Sequence, residues 1–185
     1  EQRALGTFLD LYLPTDRYKK PRILNICSGI ANEEPLLFQK YGTDIDLLSL
    51  DVSEYMVELS RELGRMSVKQ GDLRELSDHA TGRYDIVIGR NVPLNPQRGS
   101  LDDFEDFWPR VFEDLIDYMD PQSTLLLTLV RSDEHDRAME ILHSSEYNVV
   151  SNGTNKIRMP SDMIGVAGAD CKCTYVIVAS PPLQS

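Results

Sequence analysis

The sequence predicts an α/β fold in which helices cover both faces of a mostly parallel sheet. Five short apolar stretches have the composition of strands buried on both faces, and helical patterns lie between them. The chain of 185 residues is long enough for one domain with a substantial core. Strands that alternate with helices imply right-handed crossovers and a three-layer α/β/α sandwich.

The predicted strands are nearly continuous runs of apolar residues. They are Arg22–Cys27, Ile45–Asp51, Tyr84–Gly89, Thr124–Val130 and Thr174–Ala179. A weaker strand is predicted at Ser67–Gln70. Residues 152–172 are rich in Gly, Asn, Ser and Asp, so we expect a long loop or a loose hairpin there.

Helices are predicted from apolar spacing and from capping residues. The expected N-caps are Asn32, Ser53, Ser100 and Ser132. The helix that begins near Ser100 keeps its apolar phase through Pro109 as far as Met119, which predicts a kinked helix or two abutting ones. The apolar spacing of residues 2–13 predicts an amphipathic helix within an N-terminal segment, residues 1–20, that precedes the first strand. Residues 1–185 are interpreted as a single domain.

The charge of the chain is strongly negative. Thirty acidic and nineteen basic residues give a formal net charge of −11, which makes a nucleic-acid partner unlikely by repulsion. The acidic residues are concentrated in the predicted helix at 101–120, where Arg110 is the only basic residue. Such a face is usually solvated, but it could instead dock a basic protein partner.

Membrane and metal partners are not expected. The longest apolar run, Leu125–Val130, is far below the roughly 20 residues that span a bilayer, and no apolar leader opens the chain. The three cysteines are too few for a disulfide framework, and Cys171 and Cys173 have no second metal-type pair. We therefore expect a reducing, cytoplasmic location and no metal site.

Candidate ligand-binding residues follow the predicted strands, because ligands of open α/β sheets bind beyond the carboxyl ends of the strands. A small-residue turn at residues 25–32 follows the first strand. Gly29 is the only glycine of this turn, whereas a dinucleotide fingerprint has three, and no Gly-Lys-Ser/Thr sequence of a phosphate-binding loop follows it. Asp51 comes 22 residues after Gly29, the spacing typical of a carboxylate that binds ribose hydroxyls, and Asp72 follows the next strand. Tight turns and helix caps also favour these residue types.

The ordered segments Ile23–Ala31, Leu48–Ser53, Gln70–Leu73 and Tyr84–Val92 together resemble the class I S-adenosylmethionine-dependent methyltransferases. The likeness covers about residues 20–180 in order and spacing. It implies a Rossmann-like methyltransferase fold with a mostly parallel seven-stranded sheet, and S-adenosyl-L-methionine as the cofactor.

The resemblance also implies roles for individual residues. The turn at Cys27, Ser28 and Gly29 would lie against the methionine part of the cofactor, Asp51 would hold the ribose, and Asp72 would face the adenine amine. The full set of expected cofactor-binding residues is Asn25, Cys27, Ser28, Gly29, Asp51, Val52, Asp72, Leu73 and Arg90.

The first motif departs from the family pattern. Asn25 stands where the family has Asp or Glu, and Cys27 and Ala31 replace the first and third glycines. Cys27 and Ala31 are small enough to keep the turn. Asn25 lacks the charge that helps to fix the amino end of the cofactor, which implies a weaker hold on that end.

The acceptor site is expected just after the predicted strands Tyr84–Gly89 and Thr124–Val130, at Arg90, Asn91 and Arg131. Arg90, Arg98 and Arg131 could clamp a carboxylate or phosphate of a small-molecule acceptor, or could pair with nearby acids. The leading hypothesis is a methyltransferase with a small, possibly anionic acceptor. The alternatives are a catalytically silent subunit that binds cofactor or a partner, and a nucleotide-dependent oxidoreductase, which fits the sheet but not the first turn.

Overall fold

The computed structural model describes residues 2–13, 18–94, 104–154 and 175–183. The helices are α1 (Gln2–Tyr12), α2 (Glu34–Tyr41), α3 (Glu54–Glu62), α4 (Leu76–His79), α5 (Phe104–Asp117) and α6 (Ser132–Ser144). The strands are β1 (Arg22–Ile26), β2 (Asp46–Asp51), β3 (Val68–Gln70), β4 (Tyr84–Arg90), β5 (Met119–Leu129), β6 (Asn148–Thr154) and β7 (Tyr175–Ser180). A 3₁₀ turn, Leu73–Glu75, precedes α4.

The strands form a seven-stranded sheet in the order β3-β2-β1-β4-β5-β7-β6. Strands β1 to β5 are mutually parallel, whereas β7 runs antiparallel to both of its neighbours. The carboxyl ends of β1 to β5 therefore meet at one edge of the sheet. This architecture confirms the predicted fold class.

Apolar side chains alternate between the two faces of the sheet, as the pleat of a strand requires. On one face Ile23, Ile86 and Ile88 pack with Phe8 of α1 and Leu37 of α2. The other face carries a larger cluster that includes side chains from α4, α5 and α6. Both faces of the sheet are therefore covered, which explains why the interior strands are mostly apolar.

Several predicted boundaries were wrong. Helix α2 has Glu33 rather than Asn32 at its N-cap position, and α6 includes Ser132 and has Arg131 at the cap. Met119 begins β5 instead of ending a helix, because it pairs with Tyr84 of β4. Ser100 lies outside the described residues.

Strand β6 has no counterpart among the strand segments located from the sequence. Residues 152–154 form its end and pair with β7, where a loop or hairpin was expected. Its residues are mostly exposed, since β6 is an edge strand with a single neighbour. It therefore lacks the apolar run that marks the interior strands.

Helix α5 is a single helix that contains Pro109, where the sequence predicts a kinked helix or two abutting ones. Proline has no N–H to donate to the carbonyl four residues earlier, which belongs to Glu105. The Nη2 atom of Arg137 in α6 donates to that carbonyl oxygen at 3.2 Å. The carboxylates of Glu105, Asp106 and the later acidic residues of α5 are exposed. A basic protein partner for this face stays a prediction.

None of the described helices is long and apolar enough to cross a membrane.

Candidate functional site

The turn after β1 has an alternating backbone conformation that L-residues rarely adopt. The φ angles of Cys27, Gly29 and Ala31 are 51°, 53° and 47°. A side chain at positive φ costs roughly 1–2 kcal/mol, so two of these three positions carry local strain. Strain of this kind persists only where the surrounding structure holds it, and it is concentrated at functional sites.

The end of β2 holds this turn in place. The amide of Gly29 donates to Oδ2 of Asp51 at 2.7 Å, and the amide of Ser28 donates to the Leu50 carbonyl at 3.0 Å. The other carboxylate oxygen of Asp51 accepts from the Ser53 amide at 2.9 Å. A carboxylate has about four lone-pair sites, so Asp51 keeps acceptor capacity for a ligand after making both bonds.

Asp72 and Leu73 follow β3 at the same edge of the sheet. The Asp72 carboxylate accepts from the Arg74 amide at 2.9 Å and also pairs with the Arg74 guanidinium. The Arg74 guanidinium holds the pKa of that carboxyl below its ordinary value. The Leu73 side chain is buried in the main core, so it offers a ligand only its backbone. Val52, by contrast, is 67% exposed.

A buried charged cluster lies where β1, β4 and the start of α2 meet. The carboxylate of Glu33 forms an ion pair with the Arg90 guanidinium, and Asn25 Nδ2 donates to Oε2 of Glu33 at 3.4 Å. Asn25 and Glu33 are each 1% exposed, and the Arg90 side chain is 14% exposed. Sequence reasoning missed Glu33 as a site residue, because an acid at the start of a helix is expected on electrostatic grounds alone.

The remaining acceptor-site candidates are less closely grouped. Asn91 has a φ of 55°, and its amide donates to the Thr128 hydroxyl of β5 at 3.0 Å. Arg131 is paired with Asp133, and its side chain is 65% exposed. Neither Arg90 nor Arg131 is thus an unpaired cation at the rim, and Arg98 lies outside the described residues.

Two buried acceptor atoms beside the turn have no hydrogen-bond partner in the described part of the chain. They are Oδ1 of Asn25 and Oγ of Ser28, in side chains that are 1% and 4% exposed. A methyl group built on Gly29 would meet nothing within 4 Å. Unsatisfied buried polar atoms are rare and call for an explanation. Unsatisfied acceptors suit a ligand that carries an ammonium group, as the amino end of S-adenosylmethionine does.

Cys27 lies beside these acceptors and packs partly against the main core. Burial of its sulfur, with a smaller effect from the Asp51 carboxylate, raises the pKa of the thiol to about 12. The thiol is therefore protonated and unreactive near neutral pH. The described residues also contain no group of three or more His, Cys, Asp or Glu side chains that could hold a metal ion.

Comparison with solved structures identifies the fold. The PH0226 protein from Pyrococcus horikoshii OT3 matches with a TM-score of 0.69 at 13% identity, over 97% of this chain and 88% of that one. The magnesium protoporphyrin IX methyltransferase ChlM from Synechocystis PCC 6803, with bound SAM, matches with a TM-score of 0.67 at 13% identity, over 97% and 79% of the two chains. The B. subtilis tRNA methyltransferase TrmK matches with a TM-score of 0.63 at 14% identity, over 95% and 64%.

No protein-family model and no curated protein matches the sequence. At these levels of identity the structural matches concern the fold. The chain has the class I methyltransferase fold. Its strained turn after β1 and the carboxylate of Asp51, the last residue of β2, lie at the carboxyl-terminal edge of the sheet.

Proposed function

We propose that the protein is an S-adenosylmethionine-dependent methyltransferase that acts on a small-molecule acceptor. The observation that carries the proposal is the bond between the Gly29 amide and Asp51, in a turn where Asn25 and Ser28 each have a buried acceptor without a partner among the described residues. Together these groups provide an acceptor for ribose hydroxyls and acceptors for an ammonium group. The fold is shared with ChlM, whose solved structure contains bound SAM, and this similarity supports the assignment.

Each part of the chain has a separate task in this proposal. Asp51 orients the nucleoside through its hydroxyls, and the turn at Cys27–Gly29 lies along the methionine portion. When bound, S-adenosylmethionine supplies a methyl group activated by a sulfonium centre. The protein then needs mainly to align the acceptor in a space from which water is excluded, and a base is needed only for an acceptor that arrives protonated.

The size of the acceptor is inferred from charge. A net charge of −11 opposes a long polyanionic substrate, although the same fold occurs in the tRNA methyltransferase TrmK. Both Arg90 and Arg131 are paired with carboxylates, so they give no support to a specifically anionic acceptor. A small molecule is therefore proposed, without a preferred charge.

Transfer of a labelled methyl group from S-adenosylmethionine to a panel of small molecules, with total RNA and DNA offered in parallel reactions, tests this function. We expect a labelled product with the wild-type protein and none with Asp51→Ala. Asp46→Ala is the matched control, since Asp46 begins the same strand, at the end away from the turn, and pairs with Arg22. A labelled nucleic acid instead of a labelled small molecule would overturn the acceptor class.

A further inference from the structure

We infer that Glu33, held by its ion pair with Arg90, binds the ammonium group at the cofactor's amino-acid end. This inference rests on the proposed function and adds the acid that the first sequence motif lacks. Asn25 stands near the end of β1, where the family resemblance implies an acid. The Glu33 carboxylate contacts the Asn25 side chain and so places an acid at nearly the same point.

The burial of the pair is the first argument. Glu33 is 1% exposed, and its partner Arg90 keeps only 14% of its side chain in contact with solvent. Removing two charges from water is costly, and a buried ion pair adds little stability beyond what apolar side chains would supply. A pair kept at the ligand-binding edge therefore calls for a role other than stability.

The unsatisfied acceptors are the second argument. An ammonium group has three N–H donors. The Glu33 carboxylate contacts the Asn25 side chain, and two buried acceptors of the same turn, Asn25 Oδ1 and Ser28 Oγ, lack partners among the residues described. A zwitterion is electrically neutral, so it can join the neutral Glu33–Arg90 pair without leaving a buried charge uncompensated.

The neighbouring Glu34 is also a buried acid, but all its hydrogen bonds within the described part of the chain are structural. Glu34 is 3% exposed, and its carboxylate accepts from the amides of Met66 and Ser67 at 2.9 Å each and from the Ser67 hydroxyl. These bonds fix the connection between α3 and β3, so both carboxylate oxygens of Glu34 are occupied by structural bonds. Glu34→Gln is therefore the matched control for Glu33→Gln.

The test measures binding by calorimetry with two ligands. S-adenosylhomocysteine carries the amino-acid end, and 5′-methylthioadenosine lacks it. We expect Glu33→Gln to weaken S-adenosylhomocysteine binding by about 10- to 100-fold and to leave methylthioadenosine binding unchanged, as expected for loss of a charged hydrogen-bond partner. Glu34→Gln should bind both ligands as the wild type does, when the titration is run at a temperature below its thermal unfolding transition.

A relocation variant makes the test stricter. Asn25→Asp combined with Glu33→Gln exchanges the carboxylate and the amide between two side chains in contact. It should restore most of the lost affinity for S-adenosylhomocysteine.

The inference is overturned if Glu33→Gln binds S-adenosylhomocysteine like the wild type, or if it loses both ligands equally. It is also overturned if the folded relocation variant binds no better than Glu33→Gln. A wild-type protein that binds neither ligand would instead overturn the proposed function.

Discussion

The amide nitrogen of Gly29 lies 2.7 Å from Oδ2 of Asp51, so the turn after β1 and the end of β2 are joined by a charged hydrogen bond. The second oxygen of Asp51 accepts from Ser53, the N-cap of α3. One carboxylate thus positions both a turn and a helix start. Asp51 therefore contributes to the stability of the site as well as to its chemistry.

Replacing Asp51 should reduce stability. In Asp51→Asn an amide NH2 group takes the place of one carboxylate oxygen, so one backbone N–H loses its acceptor. We expect the free energy of unfolding to fall by about 1–3 kcal/mol in urea denaturation. Asp46→Asn breaks an exposed ion pair with Arg22 and should cost no more than about 1 kcal/mol. Equal losses for the two variants would contradict the role given to Asp51.

The second prediction compares Gly29 with Gly64. Both have positive φ, 53° and 75°, and a methyl group on either would meet nothing within 4 Å. Gly29→Ala and Gly64→Ala should therefore each lower the free energy of unfolding by about 1–2 kcal/mol through backbone strain alone.

Only Gly29→Ala should weaken binding of S-adenosylhomocysteine, because its methyl group enters the space beside the turn. Calorimetric titration of both variants measures this difference. Equal affinities for the two variants would mean that the space beside Gly29 is not the ligand site.

The third prediction concerns the pH dependence of stability. Burial raises the pKa of the folded Cys27 thiol to about 12 from its ordinary value of 9.0, so the unfolded chain loses this proton first as pH rises. The stabilising contribution is complete below pH 9.0 and is lost progressively between pH 9.0 and about 12.

The comparison with Cys27→Ser isolates this effect, because the tyrosines and the other cysteines are common to both proteins. The difference in unfolding free energy between wild type and Cys27→Ser should fall with pH above 9.0. Unfolding curves collected across this range that keep a constant difference would show that the thiol ionises normally in the fold.

The fourth prediction concerns Pro109 of α5. Pro109→Ala restores the N–H that a helix donates to Glu105, and it should stabilise the protein by about 1–3 kcal/mol. Arg137 supplies a substitute donor to the Glu105 carbonyl, so Arg137→Ala should cost less in the Pro109→Ala background than in the wild type. A double-mutant cycle of unfolding free energies measures this coupling, and strictly additive effects would contradict it.

The parts of the fold that could be predicted from the sequence are those with a local pattern of apolar or capping residues. Interior strands such as β4 are apolar on both faces, and the spacing of Gly29 and Asp51 is recognisable along the chain. Strand β6 is polar because it lies at the edge of the sheet, so its pattern does not distinguish it from a loop.

The charged cluster could not be predicted for a different reason. Glu33 and Arg90 are distant in sequence, and only the pairing of β1 with β4 brings them together. Locally, Glu33 has the features of an ordinary acid near a helix N-terminus. Its role at the site depends on tertiary contacts that no local pattern reports.

Calorimetric titration of the wild-type protein with S-adenosylhomocysteine tests the central claim most directly. We predict saturable binding of one molecule per chain and its loss in Asp51→Ala, while Asp46→Ala binds normally. The absence of measurable heat at high micromolar concentrations of both S-adenosylhomocysteine and S-adenosylmethionine, with the protein folded, would contradict the account.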